Sequence, residues 1–503
     1  MTLAWIVIIV TARAGTAQPA ARVDAFVRQA LAEWGTPGLV LSIVKDDAVV
    51  SAKGYGLREM GRPEPVDENT LFAIGSCSKA FTSAGVSLIV DEAKIGWNER
   101  VTSRLPWFGL WNVALSPEVT VRDLLAHRIG TDLLDEDRAF SLATDRRDVV
   151  RRVRFVPPAA GLRERYVYSN AMFVAAGQLI EEVSGQSWEA FLRSRIWAPL
   201  GMRSTNANLD AARATSNRAS GHFRASGGLK IYSWEAVPDR DSLYRGTGGI
   251  NSTAHDMAQW LRVQLGRGRY QGRQLIDSMI FAEMHTPHIA IVDGPRQAAY
   301  WFQYLSAADL DTKWWSYGLG WFVMQYRGRQ IVWHGGTSRG FRCAIALAPE
   351  ARLGIYVGTN EANLLPPAMM FQVLDEYLGV VDRQWSQVFL QESARQARAA
   401  QDRETRRTEA RIPNTTPSRE PAGYAGAYIH QSGDTARVTV VGERLAVSIG
   451  PRRGNLQHWH HDVFEIEWLT QEGGRSFGTF VIGPSGRVET ARIDGLGEYQ
   501  RRD

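Results

Sequence analysis

Apolar and polar positions repeat with helical and strand periods along the first three quarters of the chain. Residues 23–34 carry apolar positions at helical spacing, and two apolar runs around Asp46 and Asp47 predict a β-hairpin. Residues 170–185 predict a second amphipathic helix, and strand-like runs return near residue 320. Strands at both ends with helices between them predict an α+β domain whose sheet joins the two ends.

The pattern changes in the last quarter of the chain. Residues 383–421 are charged and Ala/Arg-rich, then Pro-rich, which predicts a solvated helix followed by an extended linker. Residues 422–503 contain short alternating runs separated by turn residues; one run places Leu445, Val447 and Ile449 on one face. This last part predicts a small all-β sheet or barrel.

Composition narrows the class of protein only a little. The 503 residues exceed one ordinary domain, and the 44% hydrophobic and 22% charged shares are typical of globular proteins. The net charge of +5 is small for a chain of this length, and its basic residues are interleaved with acidic ones. Nucleic acid is therefore not predicted as a partner. Only Cys77 and Cys343 are present, which excludes a disulfide framework and favours two buried thiols, with one bridge left open.

The N-terminal residues 1–17 have the pattern of a secretory signal peptide. Residues 3–10 form an apolar run of suitable length and small residues follow, although no Lys or Arg precedes the run. We expect a periplasmic or secreted protein; the alternative is an N-terminal strand or a mis-assigned start. The run is too short to cross a bilayer, and no stable membrane span is predicted elsewhere.

The stretch GSCSKAF at residues 75–81 contains a candidate nucleophile and base. Ser76 and Lys79 are three residues apart, so a helix beginning near Ser76 directs both side chains to one face. The helix start offers free N–H groups for an oxyanion, and burial in the apolar helix that follows would lower the pKa of Lys79. The alternative is a helix cap with a solvent-facing lysine, and these residues alone favour it.

Two later stretches change this balance. In YVYSN, Tyr168 and Asn170 point to the same side of an extended segment, unless Asn170 is simply a helix cap. In VWHGG, a strand that ends at His334 and two glycines would let a ligand backbone approach closely. The alternative for His334 is a hydrogen-bonded histidine on an edge strand.

Serine-x-x-lysine, tyrosine-x-asparagine and His-x-Gly, in this order, resemble the serine β-lactamase and penicillin-binding-protein superfamily. The resemblance is greatest to the class C β-lactamase-like hydrolases, which include esterases and D-amino-acid peptidases. It spans residues 22–382, with family-like phrases VRDLLAHRIG, GTGGINSTAHDMAQWL and YGLGW. It implies a β-lactamase-like fold, an antiparallel sheet flanked by a helical subdomain. Residues 422–503 are similar to the lipocalin-like barrel often appended to this family.

The resemblance implies a role for each matching residue. Ser76 would be the acylated nucleophile, and Lys79 and Tyr168 would share proton transfer to and from it. Asn170 would orient Lys79 and the substrate amide.

The same resemblance implies a substrate-binding strand and an oxyanion hole. His334 and Gly336 would line the substrate, and the N–H groups of Ser76 and Thr337 would bind the oxyanion. The family's lactamase version has a lysine where His334 stands, so the histidine favours the esterase and peptidase branch.

The implied function is amide hydrolysis through an acyl-enzyme, without a cofactor or metal. The expected substrates are small peptides with D- or nonribosomal residues, such as peptidoglycan-derived or linearised cyclic peptides. A carboxylesterase or β-lactamase of the same fold is the alternative. A protein of another class, a penicillin-binding receptor that is acylated without turnover, also remains open.

Rival sites in the sequence have weaker support. Ser338 lies in GTSRG, a nucleophile-elbow pattern that requires a strand before it and a helix after it, but a strand is predicted after it. Ser78 has no lysine three residues later. Residues 458–462 are rich in metal-ligating types, but no second cluster accompanies them, so a structural or binding-rim role is favoured. Their ligand-type residues are His458, His460, His461 and Asp462.

Overall fold

The computed structural model describes most of the chain as an open sheet with helices on both faces, followed by a closed barrel. The predicted signal peptide at residues 1–17 lies outside the described residues. The described residues are 19–131, 140–225, 228–235, 237, 239–298, 302–380, 382–469 and 474–502.

The central sheet has eight described strands, and every neighbouring pair is antiparallel. Leu41 near the N-terminus lies opposite Val357, so the sheet joins the two ends of the domain as predicted. Across the sheet the strands are Ala48–Gly56, Gly38–Lys45, Leu353–Thr359, Phe341–Ala348, Arg329–Ser338, Phe322–Tyr326, Thr312–Tyr317 and Ile289–Ala290.

The predicted hairpin at Asp46 and Asp47 is confirmed. Both residues have left-handed φ angles, 53° and 65°. A two-residue turn with positive φ at both positions matches the twist of the strands it connects, and aspartate tolerates this conformation better than most residues. The two strands therefore follow one another without a longer loop.

Helices cover both faces of the sheet. Pro19–Trp34 and Leu365–Leu378 pack on one face. Ser78–Asp91, Asn170–Ser184 and Ala254–Leu265 contribute to the core of the other face. The helix Ser78–Asp91 is buried on every side from its first residue through Ile89, as its nearly continuous apolar sequence predicts.

The remaining elements are short segments around this core. The 3₁₀ and π segments are Gly75–Cys77, Val101–Ser103, Val113–Glu118, Val153–Phe155, Arg193–Trp197, Asp239–Tyr244 and Pro349–Ala351. The short helices are Val121–Leu125, Arg146–Arg152, Trp188–Leu192, Leu209–Ala214, Ser278–Glu283, Pro295–Ala298 and Pro421–Tyr424. The small strand pairs are Phe72–Ala73 with Asn251–Ser252, Gly221–Ala225 with Gly228–Tyr232, and Arg269–Tyr270 with Arg273–Gln274.

The C-terminal strands form a closed antiparallel barrel, because the first strand also pairs with the last. Leu445, Val447 and Ile449 point inwards, as their alternation predicts. The predicted all-β barrel is confirmed, whereas its kinship with lipocalins stays a prediction. The strands are Gly426–Ile429, Thr435–Val441, Arg444–Ile449, Arg452–His460, Val463–Trp468, Arg475–Ile482, Val488–Ile493 and Gly497–Arg502.

The predicted charged helix extends over Trp385–Glu409. Its start is not solvated, because Trp385 and Phe389 are fully buried in the core that includes Leu365–Leu378. The helix is therefore anchored at one end and polar for the rest of its length.

The histidine-rich segment 458–462 fastens the linker after this helix. Asp462 accepts hydrogen bonds from the backbone N–H of Ser418 at 3.0 Å and from its hydroxyl at 2.8 Å. The Ile412 N–H donates to His460 Nδ1 at 3.2 Å. These contacts agree with the favoured structural role. No group of three metal-ligating side chains is arranged to hold an ion in the part of the chain that the structure describes.

None of the described helices combines the length and apolar character needed to cross a membrane.

Candidate active site

Ser76 lies in a 3₁₀ turn, Gly75–Cys77, immediately before the helix Ser78–Asp91. The sequence predicted that the α-helix begins near Ser76, and the regular helix starts two residues later. The turn leaves Ser76 partly exposed, whereas Lys79 in the first helical turn has 0% exposure.

Two glycines let the central sheet lie directly against this turn. A Cβ at Gly75, where φ is +49°, would lie 2.6 Å from the Thr337 nitrogen. A Cβ at Gly336 would lie 2.0 Å from the Ile74 carbonyl oxygen. Any side chain at either position would force the two segments apart. The glycines therefore bring the backbone of Thr337 beside the turn that holds Ser76.

Lys79 donates hydrogen bonds to three oxygens. Its Nζ lies 3.0 Å from Ser76 Oγ, 2.8 Å from Asn170 Oδ1 and 3.1 Å from the Thr247 carbonyl oxygen. An ammonium has three N–H donors, and each of these oxygens is an acceptor. The predicted pairing of Ser76, Lys79 and Asn170 is thus present in the structure.

Tyr168 lies on the other side of Lys79. The Lys79 Nζ is 4.6 Å from the centroid of the Tyr168 ring, a cation–π distance. The helix Asn170–Ser184 begins immediately after the tyrosine, and Ser169 is its N-cap, accepting from the Met172 N–H at 3.3 Å. The alternative that Asn170 is the cap is therefore wrong.

His127 holds Tyr168 in place and was missed by the sequence reasoning. Its carbonyl accepts from the Val167 N–H at 2.9 Å, and its Nδ1 accepts from the Ser169 N–H at 3.0 Å. Both backbone neighbours of Tyr168 are thus bound by one residue, whose φ of 53° lets ring and carbonyl reach the same segment. The phrase VRDLLAHRIG contains this histidine and was the available signal.

His334 is buried within the central sheet at 1% exposure. Its Nδ1 donates to the Gly335 carbonyl at 2.7 Å, so its Nε2 accepts from the Tyr317 hydroxyl at 2.9 Å. The prediction that a strand ends at these residues is wrong, and so is the edge-strand alternative. The strand Arg329–Ser338 continues past both glycines because ladder pairing uses only their backbone.

Both histidines near Lys79 are held neutral. Burial, followed by the nearby charge of Lys79, lowers the pKa of His334 to about 3. Burial and the same charge lower the pKa of His127 well below its ordinary value. At neutral pH the two imidazoles therefore place no like charge beside the lysine.

Thr247 also contacts Lys79, and the sequence reasoning missed it as well. Its hydroxyl donates to Asn170 Oδ1 at 2.6 Å, while its carbonyl accepts from Lys79. Asn170 Oδ1 therefore has two donors, which fix the direction of its amide. The stretch GTGGINSTAHDMAQWL contains Thr247, but nothing local in it indicates a contact with a lysine 168 positions away.

The rival serines lie in other environments. Ser78 is buried, and its Oγ accepts from the Ile250 N–H at 3.3 Å. Ser338 ends one strand and faces Phe341 at the start of the next, antiparallel strand. The strand predicted after Ser338 is confirmed, so the strand-to-helix turn of a nucleophile elbow is absent at this position.

The two cysteines face one another directly behind Ser76. Their Sγ atoms are 3.2 Å apart, and both are buried free thiols. Burial, together with the hydrogen bond between the two thiols, raises the pKa of Cys77 well above its ordinary value. The sequence left open whether Cys77 and Cys343 form a disulfide. In the structure they are two free thiols in contact.

Comparison with known proteins gives the class to which this fold and site belong. Residues 23–370 match the family model described as beta-lactamase, and residues 410–501 match a domain of unknown function, DUF3471. The chain therefore belongs to the beta-lactamase family, the β-lactamase and penicillin-binding-protein-like serine hydrolases.

Individual relatives include two fungal hydrolases. An unguisins hydrolase of Aspergillus campestris is 31% identical over 373 residues, which cover 70% of this chain and 64% of that protein. An unguisins hydrolase of Aspergillus violaceofuscus is 29% identical over 377 residues, with the same coverage of 70% and 64%. The matched part thus spans 64% of the length of these relatives.

Solved structures share the fold at low identity. The octameric penicillin-binding protein homologue from Pyrococcus abyssi has a TM-score of 0.63 at 20% identity, covering 96% of this chain and 99% of that one. The D-amino acid amidase from Ochrobactrum anthropi has a TM-score of 0.57 at 20% identity, covering 72% and 99%. The first of these matches extends over nearly the whole chain.

Proposed function

We propose that the protein is a serine hydrolase that cleaves an amide bond of small peptides through an acyl-enzyme on Ser76. The observation that carries this proposal is the 3.0 Å contact between Lys79 Nζ and Ser76 Oγ in a buried, hydrogen-bonded setting. A serine becomes nucleophilic when an adjacent base removes its proton. The partly exposed hydroxyl and the buried amine have this relationship.

Acylation requires Lys79 as the neutral amine, so the ammonium must first lose one of the protons that it donates in the structure. Its free Nζ then takes the proton of Ser76 as Oγ attacks the substrate carbonyl. The tetrahedral oxyanion receives hydrogen bonds from the N–H groups of Ser76 and Thr337. Proton transfer through Lys79 and Tyr168 to the leaving nitrogen breaks its bond to carbon and releases the amine. Water then attacks the acyl-enzyme, giving its proton to the same groups, and releases the acid and Ser76.

Asn170 and Thr247 hold Lys79 during these steps. Because the Asn170 amide points its oxygen at Lys79, the opposite end of that amide is directed away from the lysine. We infer that this end meets the substrate amide. A fixed base removes the need to reorganise the site as charge develops.

The substrate-binding strand supports a peptide or ester rather than a β-lactam. His334 is neutral and hydrogen-bonded to Tyr317, so it supplies no cation for an antibiotic carboxylate. Gly336 packs the strand against the Ile74 carbonyl, which brings the backbone of Thr337 beside Ser76. A β-lactamase or a carboxylesterase of the same fold is the second candidate within the class.

The names of relatives support a substrate with unusual residues. One is a hydrolase of unguisins, and a protein of similar fold is a D-amino acid amidase. We propose that this chain acts on peptides with D- or nonribosomal residues, including peptidoglycan-derived peptides and linearised cyclic peptides. Linearised microcystin is one peptide of this type.

A probe that reacts with activated serines tests the proposal. We expect a fluorophosphonate to form one adduct on Ser76, identified by mass spectrometry, and Ser76→Ala to lose it while remaining folded. Ser338→Ala is the matched control and should keep the adduct. An adduct that persists in Ser76→Ala and vanishes in Ser338→Ala would restore the nucleophile-elbow hypothesis.

A substrate panel then separates the candidate functions. Matched L- and D-residue peptides, simple esters, and a fluorescent penicillin would be compared with the wild-type chain. Faster turnover of D-residue peptides supports the proposal, and turnover of esters or lactams alone supports the second candidate. A permanent penicillin adduct without turnover of any compound would identify a receptor instead.

We also propose the domain limits and the location indicated by the sequence. Residues 1–17 would direct export, 22–382 would form the catalytic domain, 383–421 the helix and linker, and 422–503 the lipocalin-like barrel. N-terminal sequencing of the mature protein from a periplasmic fraction checks the first limit. A start at Met1 in the cytoplasmic fraction would contradict export.

A further inference from the structure

The barrel shares its core with a segment of the helical part of the catalytic domain. Leu142 is 4% exposed and belongs to the cluster of apolar side chains that fills the barrel. Its Cδ2 lies 3.3 Å from the position that a Cβ on Gly450 would occupy, so the leucine rests on the barrel backbone. A second link joins Arg152 to both carboxylate oxygens of Asp434 at 2.7 Å.

Two residues before Leu142, the same segment supports an aromatic stack. Phe140 is 2% exposed, and its ring lies 4.7 Å from that of Tyr244 at an angle of 7°. A face-to-face arrangement of this kind is held by dispersion and by the exclusion of water. The segment therefore connects the barrel to Tyr244.

Tyr244 begins the turn that carries the lysine's third acceptor. Its carbonyl accepts from the Thr247 N–H at 3.0 Å and from the Gly248 N–H at 2.7 Å. Thr247 then contacts both Lys79 and Asn170. Leu142, Phe140 and Tyr244 thus form a continuous path from the barrel to the base of the proposed nucleophile.

We propose that the C-terminal barrel positions the active-site turn Tyr244–Gly248 through Leu142 and Phe140. These two residues are positioning residues, because they act on Lys79 through the turn and not by contact with substrate. The turn sequence YRGTG contains two glycines, and glycine loses more conformational entropy than other residues when its backbone is fixed. Holding the turn in one conformation is therefore costly in free energy. The stack from the barrel side supplies that restraint.

The proposal rests on the proposed function, because it assigns the barrel a part in activating Ser76. The claim that the barrel restrains the turn Tyr244–Gly248 does not depend on the proposed function, because backbone exchange in the turn can be measured without substrate. The experiment therefore combines a rate with a measurement of backbone exchange on the full-length chain.

The rate is that of fluorophosphonate labelling, separated into probe affinity and the rate constant of the covalent step. Phe140→Ala and Leu142→Ser are expected to lower the covalent rate constant about 10- to 100-fold, since small displacements of catalytic groups have effects of this size. The apparent affinity should change less than about twofold, because the probe contacts neither residue. Phe140→Tyr keeps the stacked ring and should restore the rate.

Hydrogen–deuterium exchange measures the turn directly. The Thr247 and Gly248 amides should exchange faster in Phe140→Ala and Leu142→Ser than in the wild-type chain, and at the wild-type rate in Phe140→Tyr. Val488→Ala is the matched control, because it removes a buried side chain four strands around the barrel from Arg444–Ile449. It should alter neither labelling nor exchange in the turn.

Each result separates the two proposals. Unchanged exchange and labelling in Phe140→Ala would overturn the positioning role, and so would an equal slowing in Val488→Ala. If Leu142→Ser does not fold, Phe140→Ala decides the question alone, because it leaves Leu142 and the barrel interior intact. A wild-type chain that forms no adduct would reject the proposed function, while the exchange measurement still tests the support of the turn.

Discussion

The central sheet and the barrel are both antiparallel, but the two regions differ in the kind of side chain that they bury. The domain built on the central sheet places fully or nearly fully buried polar groups, such as His127 and His334, near Lys79. The barrel fills its interior with apolar side chains, among them Tyr428, Ile449 and Ile466. Buried polar groups are costly unless they are paired, so their concentration in one region indicates where the chemistry lies.

The connectivity of the two sheets accounts for this difference. In the barrel, neighbouring strands follow one another along the chain, and only the pairing that closes the barrel joins its first strand to its last. In the central sheet, the strand that contains His334 lies against a turn that comes more than 250 residues earlier. Long-range packing can gather side chains from several segments at one point, which sequential hairpins do less readily.

The strongest test of the comparison removes the central cation of the catalytic region. Lys79→Met should lower the rate of fluorophosphonate labelling about 10²- to 10⁴-fold, because a general base contributes about that factor. The thioether keeps most of the side-chain volume, so the helix should remain folded. Labelling followed by intact-mass spectrometry measures the rate.

Lys94→Met is the control for this change, because Lys94 lies beyond the end of the same helix and pairs with Glu92 at the surface. It should label at the wild-type rate. A Lys79→Met protein that labels as fast as this control would remove Lys79 from the mechanism.

The second test uses the neutral histidine of the same region. Burial lowers the pKa of His334 to about 3 in the folded protein, whereas its ordinary value in an unfolded chain is about 6.5. Only the unfolded chain therefore gains this proton between the two values. The free energy of unfolding therefore falls as the pH decreases through this range, by up to about 1.4 kcal/mol per pH unit for this group. Urea unfolding at pH 7, 6 and 5 measures the slope.

His334→Asn should make that slope shallower, because asparagine does not titrate. The other histidines with lowered pKa values keep their share of the slope in both proteins. Parallel slopes for the wild-type and variant chains would show that His334 is not held neutral.

The smallest expected effect concerns the barrel. Asp462→Ala removes the acceptor of Ser418 and of the Tyr424 hydroxyl, so the free energy of unfolding should decrease by about 1–3 kcal/mol. Labelling at Ser76 should not change, because these contacts hold the linker rather than the turn at Thr247. A loss of labelling at unchanged stability would contradict the division between the two regions.

The sequence predicted the elements whose signal is local. The hairpin at Asp46 and Asp47 followed from two turn-forming residues between apolar runs. The barrel followed from alternation such as that at Leu445. The spacing of Ser76 and Lys79 predicted that their side chains lie on one face, and their Oγ and Nζ atoms are in contact in the structure.

The contacts that were missed depend on tertiary packing. Lys79 donates a hydrogen bond to the backbone carbonyl of Thr247. Because every residue has a backbone carbonyl, the residue type at position 247 does not indicate this contact. His334 was expected at a strand end because two glycines follow it. Pairing with the neighbouring strand, Phe341–Ala348, continues regardless of side chains and keeps His334 in the interior.

The paired thiols behind Ser76 provide a built-in reporter of the integrity of the site. Cys77 and Cys343 are the two cysteines of the chain, and both are buried where the turn Gly75–Cys77 meets the sheet. A thiol-specific dye should therefore react with neither in the native protein and with both after denaturation. Because one thiol sits next to Ser76 in the chain, the time course of dye uptake follows the opening of the catalytic region without any substrate.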